Sequence, residues 1–203
     1  MSSSHRTKPE VPKKKIVAVG DPGVGKTRML IRFHSGEFHE YFMPTFHDNY
    51  TEDVHLDRKR MEIVVWDTPG HEEYDRLRPL TYPETDVFLI CFSVDDMTSF
   101  ENVEVKWVPE VLHFRSNARV PYLLVGCRSD LRRDRKVIES FRKAGLEFIT
   151  SEKADSLAQS IGAVMYLECS AVTGEGVSEV FEQATRAALS SQKSKNPKSC
   201  LIL

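Results

Sequence analysis

Short runs of apolar and β-branched residues alternate along the chain with longer stretches in which apolar positions recur every three or four residues. The short runs predict strands over Lys15–Gly20, Asp48–Leu56, Met61–Asp67, Asp86–Ser93, Val120–Gly126 and Val164–Cys169. The longer stretches predict helices over Lys26–Ser35, Ser99–Phe114, Glu152–Ile161 and Val177–Ser190, with a further charged segment at Arg132–Ala144. Strands and helices in alternation, without an internal repeat, imply an α/β fold: a mostly parallel six-stranded sheet with helices on both faces. Only the turn DRKR separates Leu56 from Met61, so the second and third strands read as an antiparallel hairpin. Phe100, Val103, Trp107, Val111 and Phe114 share helical spacing and are read as core.

Length and composition narrow this picture modestly. The 203 residues suit one domain, divided here into an arm at 1–13 expected to be disordered, a globular body at 14–190 and a basic tail at 191–203. A net charge of −2 gives the molecule no electrostatic signature of nucleic-acid binding. Cys91, Cys127 and Cys169 lie in or beside apolar runs, where a reduced thiol packs like a small hydrophobe; this usage is cytosolic. The amino-terminal stretch has charge and proline but no apolar run, so it is neither a secretory signal nor an anchor, and the longest strongly apolar run, Val87–Phe92, is too short to cross a bilayer. His5, His34, His39, His55 and His113 share no metal-ligand spacing.

Candidate chemistry begins directly after the first strand. Gly20, Asp21, Pro22, Gly23, Val24, Gly25, Lys26 and Thr27 form GDPGVGKT, the pattern of a phosphate-binding loop, with a helix following. Successive backbone N–H groups of such a loop converge on phosphate, Lys26 supplies a point charge to the β and γ phosphates, and the Thr27 hydroxyl is placed to ligate Mg²⁺. The loop alone leaves ATP and GTP equally open.

Three further stretches decide between them. GCRSDL follows the fifth strand, ECSA follows the sixth, and WDTPGHEEYDRLRPLTYPETDVFLICFS occupies the middle of the domain. Together they resemble the Rho family of small GTPases, from about Lys14 to the end, including the charged helical insertion at Arg132–Ala144. The resemblance implies a GTP/GDP switch with Mg²⁺ as cofactor and GTPase activity. Asp130 then takes two hydrogen bonds from guanine, Phe38 covers the base, and Cys127, Arg128, Ser170 and Ala171 complete its surroundings. Thr45 of switch I reaches Mg²⁺ through its hydroxyl and the γ phosphate through its N–H, Asp67 holds Mg²⁺ through water, and the Gly70 N–H makes the second γ-phosphate contact. Loss of that phosphate releases both switch loops. By the same resemblance, partners are effectors of the actin cytoskeleton or cell polarity that read switch I and switch II, exchange factors, activating proteins and a prenyl-binding dissociation inhibitor.

The sequence departs from the family pattern at several of these positions. Arg128 stands for a lysine whose stem lies along guanine, and its planar guanidinium stacks equally well. Cys127 replaces an asparagine or threonine that braces the phosphate loop, which implies one lost hydrogen bond and faster nucleotide release. Pro22 stands where a glycine leaves room for an inserted arginine, Pro69 replaces an alanine, and His71 occupies the place of the glutamine that orients the attacking water. DTPGH also resembles the corresponding stretch of translational GTPases, where histidine positions that water. Two mechanisms follow. Either His71 orients water and hydrolysis persists with the pH sensitivity of an imidazole, or it does not, and the protein is a GTP-loaded adaptor. Phe46 and His47 depart from the family in switch I, so effector preference is not readable. A phosphate-loop ATPase or kinase would have no use for Asp130.

The tail ends in Cys200, two aliphatic residues and leucine, a prenylation signal whose terminal leucine specifies geranylgeranyl. Lys193, Lys195 and Lys198 add attraction to anionic membrane lipid, worth about 1 kcal/mol each near the surface. The expected location is the cytoplasmic face of the plasma membrane or an endomembrane, with a cytosolic pool.

Overall fold

The computed structural model describes residues 11–38, 49–114 and 120–193. Its centre is β1 (Lys13–Gly20), flanked in parallel by β3 (Lys59–Asp67) and β4 (Val87–Ser93). The sheet continues outward through β5 (Tyr122–Cys127) to β6 (Tyr166–Glu168) on one side and β2 (Asn49–Leu56) on the other, in the order β2-β3-β1-β4-β5-β6. Only β2 runs antiparallel, pairing with β3 from Asn49↔Trp66 to Leu56↔Lys59. The hairpin is tighter than the four-residue turn expected. Asp57 and Arg58 alone make it, both at positive φ (48° and 64°), the twist that matches two right-handed strands, while Lys59 and Arg60 already pair.

Every residue of β4 is buried, as befits a strand covered on both faces. On β1 the two faces part company: Ile16 and Ala18 join the core beneath α1 (Lys26–Ser35) and α6 (Val177–Lys193), whereas Val17 and Val19 join the opposite core. That second core is closed by α2 (Met97–Asn102), a π-helical turn (Val103–Trp107), α3 (Val108–Phe114) and α5 (Ser151–Ile161). Lys14 is buried at the foot of β1 because Asp86 accepts from its ammonium at 2.9 Å.

The expected single helix over Ser99–Phe114 starts earlier and is interrupted. Asp96 caps α2 by accepting from the Thr98 and Ser99 N–H groups. The Val108 N–H then reaches back five residues to the Val103 carbonyl, which inserts one extra residue into the turn. Phe100, Val103, Trp107 and Val111 are buried as expected, but Phe114 is not; at 47% exposure in the last turn it meets the rings of His113 and Tyr82 edge-on. The insertion also divides: a 3₁₀ turn at Ser129–Arg133 precedes α4 (Arg135–Ala144), which Asp134 caps. At the boundaries assigned from sequence, β1 claims Lys13 from the arm and α6 runs beyond Ser190 to Lys193. Thr45, Phe46, His47 and Cys200 lie outside the described residues, as do positions 1–10 and most of the tail.

Candidate nucleotide-binding site

The carboxyl ends of β1, β3, β4, β5 and β6 face one set of loops, the position at which open α/β sheets bind ligands. The loop from Gly20 to Thr27 leaves β1 through a backbone that only glycine tolerates: at Gly20 φ is 146°, and a Cβ would fall 2.2 Å from the Cys91 carbonyl oxygen. Lys26 is folded beneath this loop and donates to the carbonyls of Gly20 (2.7 Å) and Asp21 (2.8 Å). Burial pushes its ammonium below the ordinary lysine value, and the Asp67 carboxylate opposes that shift. A buried cation so placed is a receptor for anionic oxygen.

Behind the loop lies a cavity of ≈ 420 Å³ lined by Gly23, Gly25, Arg28, Met29, Cys127, Arg128, Asp130, Leu131, Cys169, Ala171 and Val172. Asp130 lines it, and the Ser170 hydroxyl donates to Asp130 Oδ1 at 2.5 Å. Ser170 is itself fully buried and accepts from the Thr173 N–H at 3.1 Å, so the carboxylate is oriented by a fixed group. Arg128 adopts a left-handed conformation (φ 64°) that carries its stem to within 3.5 Å of where a Gly25 Cβ would stand, and its guanidinium lies 3.5 Å from Asp95. The stem thus borders the space that a planar base would occupy.

Thr27 and Asp67 converge on the other side of the loop, with the Thr27 hydroxyl donating to Asp67 Oδ2. A hydroxyl and a carboxylate beside a phosphate loop are the hard oxygen donors that Mg²⁺ selects, so the residues fit that ion. Gly70 packs against the loop so closely that a Cβ would lie 2.4 Å from both Gly20 O and Pro22 N. The exposed His71 belongs to a second cavity of ≈ 490 Å³, with Asp21, Pro22, Gly70, Glu72, Glu73, Asn102 and Lys106. Phe38 is half-buried outside the first cavity, with the Arg28 guanidinium 5.3 Å above its ring.

Several supporting residues carry no motif. Asp21 accepts from Trp107 Nε1 at 2.7 Å and from Asn102 Nδ2 at 2.6 Å, which ties the loop to the π-helical turn. The same indole ring supports the Arg78 guanidinium at 4.5 Å, and Arg78 donates to the Pro69 carbonyl at 3.0 Å. Trp107 therefore braces both the phosphate loop and the segment carrying His71; helical spacing revealed its burial but not this role. Arg28 was equally invisible, since the loop pattern ends at Thr27. Cys127 is buried with Cys91 and Cys169 in the core beneath α1 and α6, and a Cβ on Gly25 would fall 3.9 Å from its Sγ.

A phosphate loop at the end of the first strand of a parallel sheet, facing an oriented aspartate across one cavity, defines a P-loop nucleotide-binding protein. The Ras family model matches residues 15–190. The chain is 49% identical over 199 residues to the GTP-binding protein rho1 of Schizosaccharomyces pombe, covering 94% of this chain and 98% of that protein. It is 52% identical over 186 residues to the GTP-binding protein RHO1 of Saccharomyces cerevisiae, covering 92% and 88% respectively. It is 51% identical over 197 residues to the GTP-binding protein rho5 of Schizosaccharomyces pombe, covering 94% and 98%. The chain belongs to the Ras family of small GTPases, in its Rho branch.

Proposed function

We propose that this protein is a membrane-attached GTP/GDP switch of the Rho type. The observation that carries the reading is the cavity in which the phosphate loop faces the Asp130–Ser170 pair. Asp130 is a pure acceptor when ionised and so pairs with the two adjacent N–H donors of guanine, which adenine lacks. Ala171 and the Arg128 stem flank the base, Phe38 covers it, and Gly20, Asp21, Pro22, Gly23, Val24 and Gly25 surround the phosphates with Lys26. Thr27, Thr45 and Asp67, the last through water, would hold Mg²⁺, which would neutralise charge between the β and γ phosphates. Thr45 and Gly70 sense the γ phosphate, and their release on hydrolysis alters the surface that effectors read.

Hydrolysis requires an oriented water, and His71 sits beside Gly70 and Pro22 in the second cavity. Nucleotide recovered from freshly purified protein, together with single-turnover rates for wild type, His71→Gln and His71→Ala, tests the cycle. GDP on the protein and a rate lowered by His71→Ala are expected. Mostly GTP, with three coincident rates, would favour the second reading, a GTP-loaded adaptor. That reading draws on Pro22, whose ring narrows the approach of an activating arginine.

Among the described residues no helix is long and apolar enough to cross a membrane. Attachment is assigned to a prenyl group on Cys200 with the neighbouring lysines, which one lipid chain needs for stable anchoring. Cys200→Ser is expected to leave nucleotide binding intact and release the protein from membranes. Exchange factors, activating proteins, a prenyl-binding inhibitor and actin- or polarity-regulating effectors are the partners this reading implies.

A further inference from the structure

The nucleotide cavity has a floor of sulfur, formed by Cys127 and Cys169. The β5–β6 ladder pairs Val125↔Leu167 and Gly126↔Glu168. It continues beyond these, because Cys169 donates its N–H to Gly126 O at 2.9 Å and accepts from the Ser129 N–H at 3.1 Å. The next residues on the two strands are Cys127 and Cys169. Neighbouring strands lie roughly 4.7–4.9 Å apart, inside the roughly 4.4–6.8 Å Cα window of a disulfide. Both side chains are buried in the core beneath α1 and α6.

Both cysteines also line the cavity, although only 2% and 1% exposed. Cys127 lies under the phosphate loop: a Cβ on Gly25 would fall 3.2 Å from its Cβ and 3.9 Å from its Sγ. A nucleotide bridging the phosphate loop and Asp130 would roof over this floor. Cys91, the third thiol of the cluster, sits on β4 and does not line the cavity.

We infer that Cys127 and Cys169 are a modification site, a thiol pair that a hydroperoxide reaches through the nucleotide cavity and joins as a disulfide in nucleotide-free protein only. Cys127 is the attacking sulfur. The neighbouring Cys169 and Cys91 thiols hold it below the ordinary thiol range, with Lys26 and Arg128 adding positive charge nearby, while Cys127 and burial push the other two thiols up. The Cys127 thiolate attacks one peroxide oxygen, the O–O bond breaks, and alcohol or water leaves with a proton, giving a sulfenic acid. The Cys169 sulfur then displaces hydroxide from that sulfenic sulfur, its own proton leaving with the hydroxide as water. Two thiols are oxidised by two electrons and one hydroperoxide is reduced.

The gating by nucleotide rests on the proposed function of the cavity, so binding of fluorescent GDP to the full chain is measured first. The chain is then stripped with EDTA or loaded with Mg²⁺ and GDP, exposed to hydrogen peroxide, alkylated, and mapped without reduction. A Cys127–Cys169 linked peptide is expected in stripped protein, lost in loaded protein and removed by dithiothreitol. Cys91→Ser should retain the linkage, whereas Cys127→Ser and Cys169→Ser should each abolish it. No linkage in stripped wild type that keeps its far-ultraviolet circular dichroism, linkage to Cys91 instead, or equal yields in both states once GDP binding has been measured, would overturn the proposal. Absence of GDP binding would sink the nucleotide reading and its gate, while linkage in stripped protein would still decide the pairing.

Discussion

Arg78 has no solvent exposure, yet its charge is fully answered. Glu110 accepts from Nε at 2.8 Å and from Nη2 at 2.6 Å, Asp75 accepts from Nη2 at 2.6 Å, and the Pro69 carbonyl takes the remaining nitrogen. Burial alone would lower the guanidinium's affinity for its proton, but the bonds from Glu110 and Asp75 more than reverse this. Arg78→Met removes the cation and leaves Glu110, only 12% exposed, facing the Tyr82 hydroxyl without a positive partner. Breaking such a pair from one side costs about 3–5 kcal/mol, because the remaining charge stays buried. For a domain of this size each kcal/mol lowers Tm by about 2–4 °C, so a drop of about 6–20 °C is expected. Thermal unfolding should be followed at fixed, saturating GDP and Mg²⁺, since ligand shifts the apparent stability. Arg78→Met/Glu110→Gln should recover part of the loss by discharging the carboxylate. A loss below about 1 kcal/mol, the range of exposed ion pairs, or strict additivity in the double variant would refute the reasoning.

The other predictions concern the pocket and its supports. Trp107→Phe keeps a ring beneath Arg78 but deletes the 2.7 Å bond to Asp21, and a charged hydrogen bond of about 1.5–3 kcal/mol should appear as faster GDP release in stopped flow. Asp130→Asn places an amide against guanine, which should weaken GDP binding by the same order, about 1.5–3 kcal/mol, in titration calorimetry. For Glu168, burial raises the carboxyl's proton affinity, but bonds from Arg132, Tyr166 and Ser151 outweigh it and hold the group below its ordinary value of 4.5. A carboxylate depressed by folding stabilises above the ordinary value, and that contribution is lost as pH falls through the lower folded value. Glu168→Gln should therefore flatten the acid limb of a urea-unfolding series below pH 4.5, and an unchanged slope would remove Glu168 from the account.

The sequence made the architecture legible because its punctuation is local. GDPGVGKT forces a turn between an apolar run and an amphipathic one, and the charges of DRKR interrupt two runs that can only fold back on each other. Asp130, Ser170 and Ala171 were identifiable through family resemblance, and the geometry brings them to one cavity with the loop. The Asp21–Trp107–Arg78–Pro69 chain of contacts was not legible, since it joins residues far apart in sequence and one indole satisfies both core spacing and a polar contact. Phe114 misled for the opposite reason. Periodicity states which side of a helix a residue occupies, not whether the sheet still extends beneath it.

The extra residue in the turn at Val103–Trp107 sets a phase. Five residues close a turn that four would close in an α-helix, so removing one position there would restore the ordinary i→i−4 pattern and draw the segment tighter. The segment is thereby constrained in count as well as in kind, because the amide of Asn102 and the indole of Trp107, which hold the loop that grips phosphate, stand at either end of that wider turn.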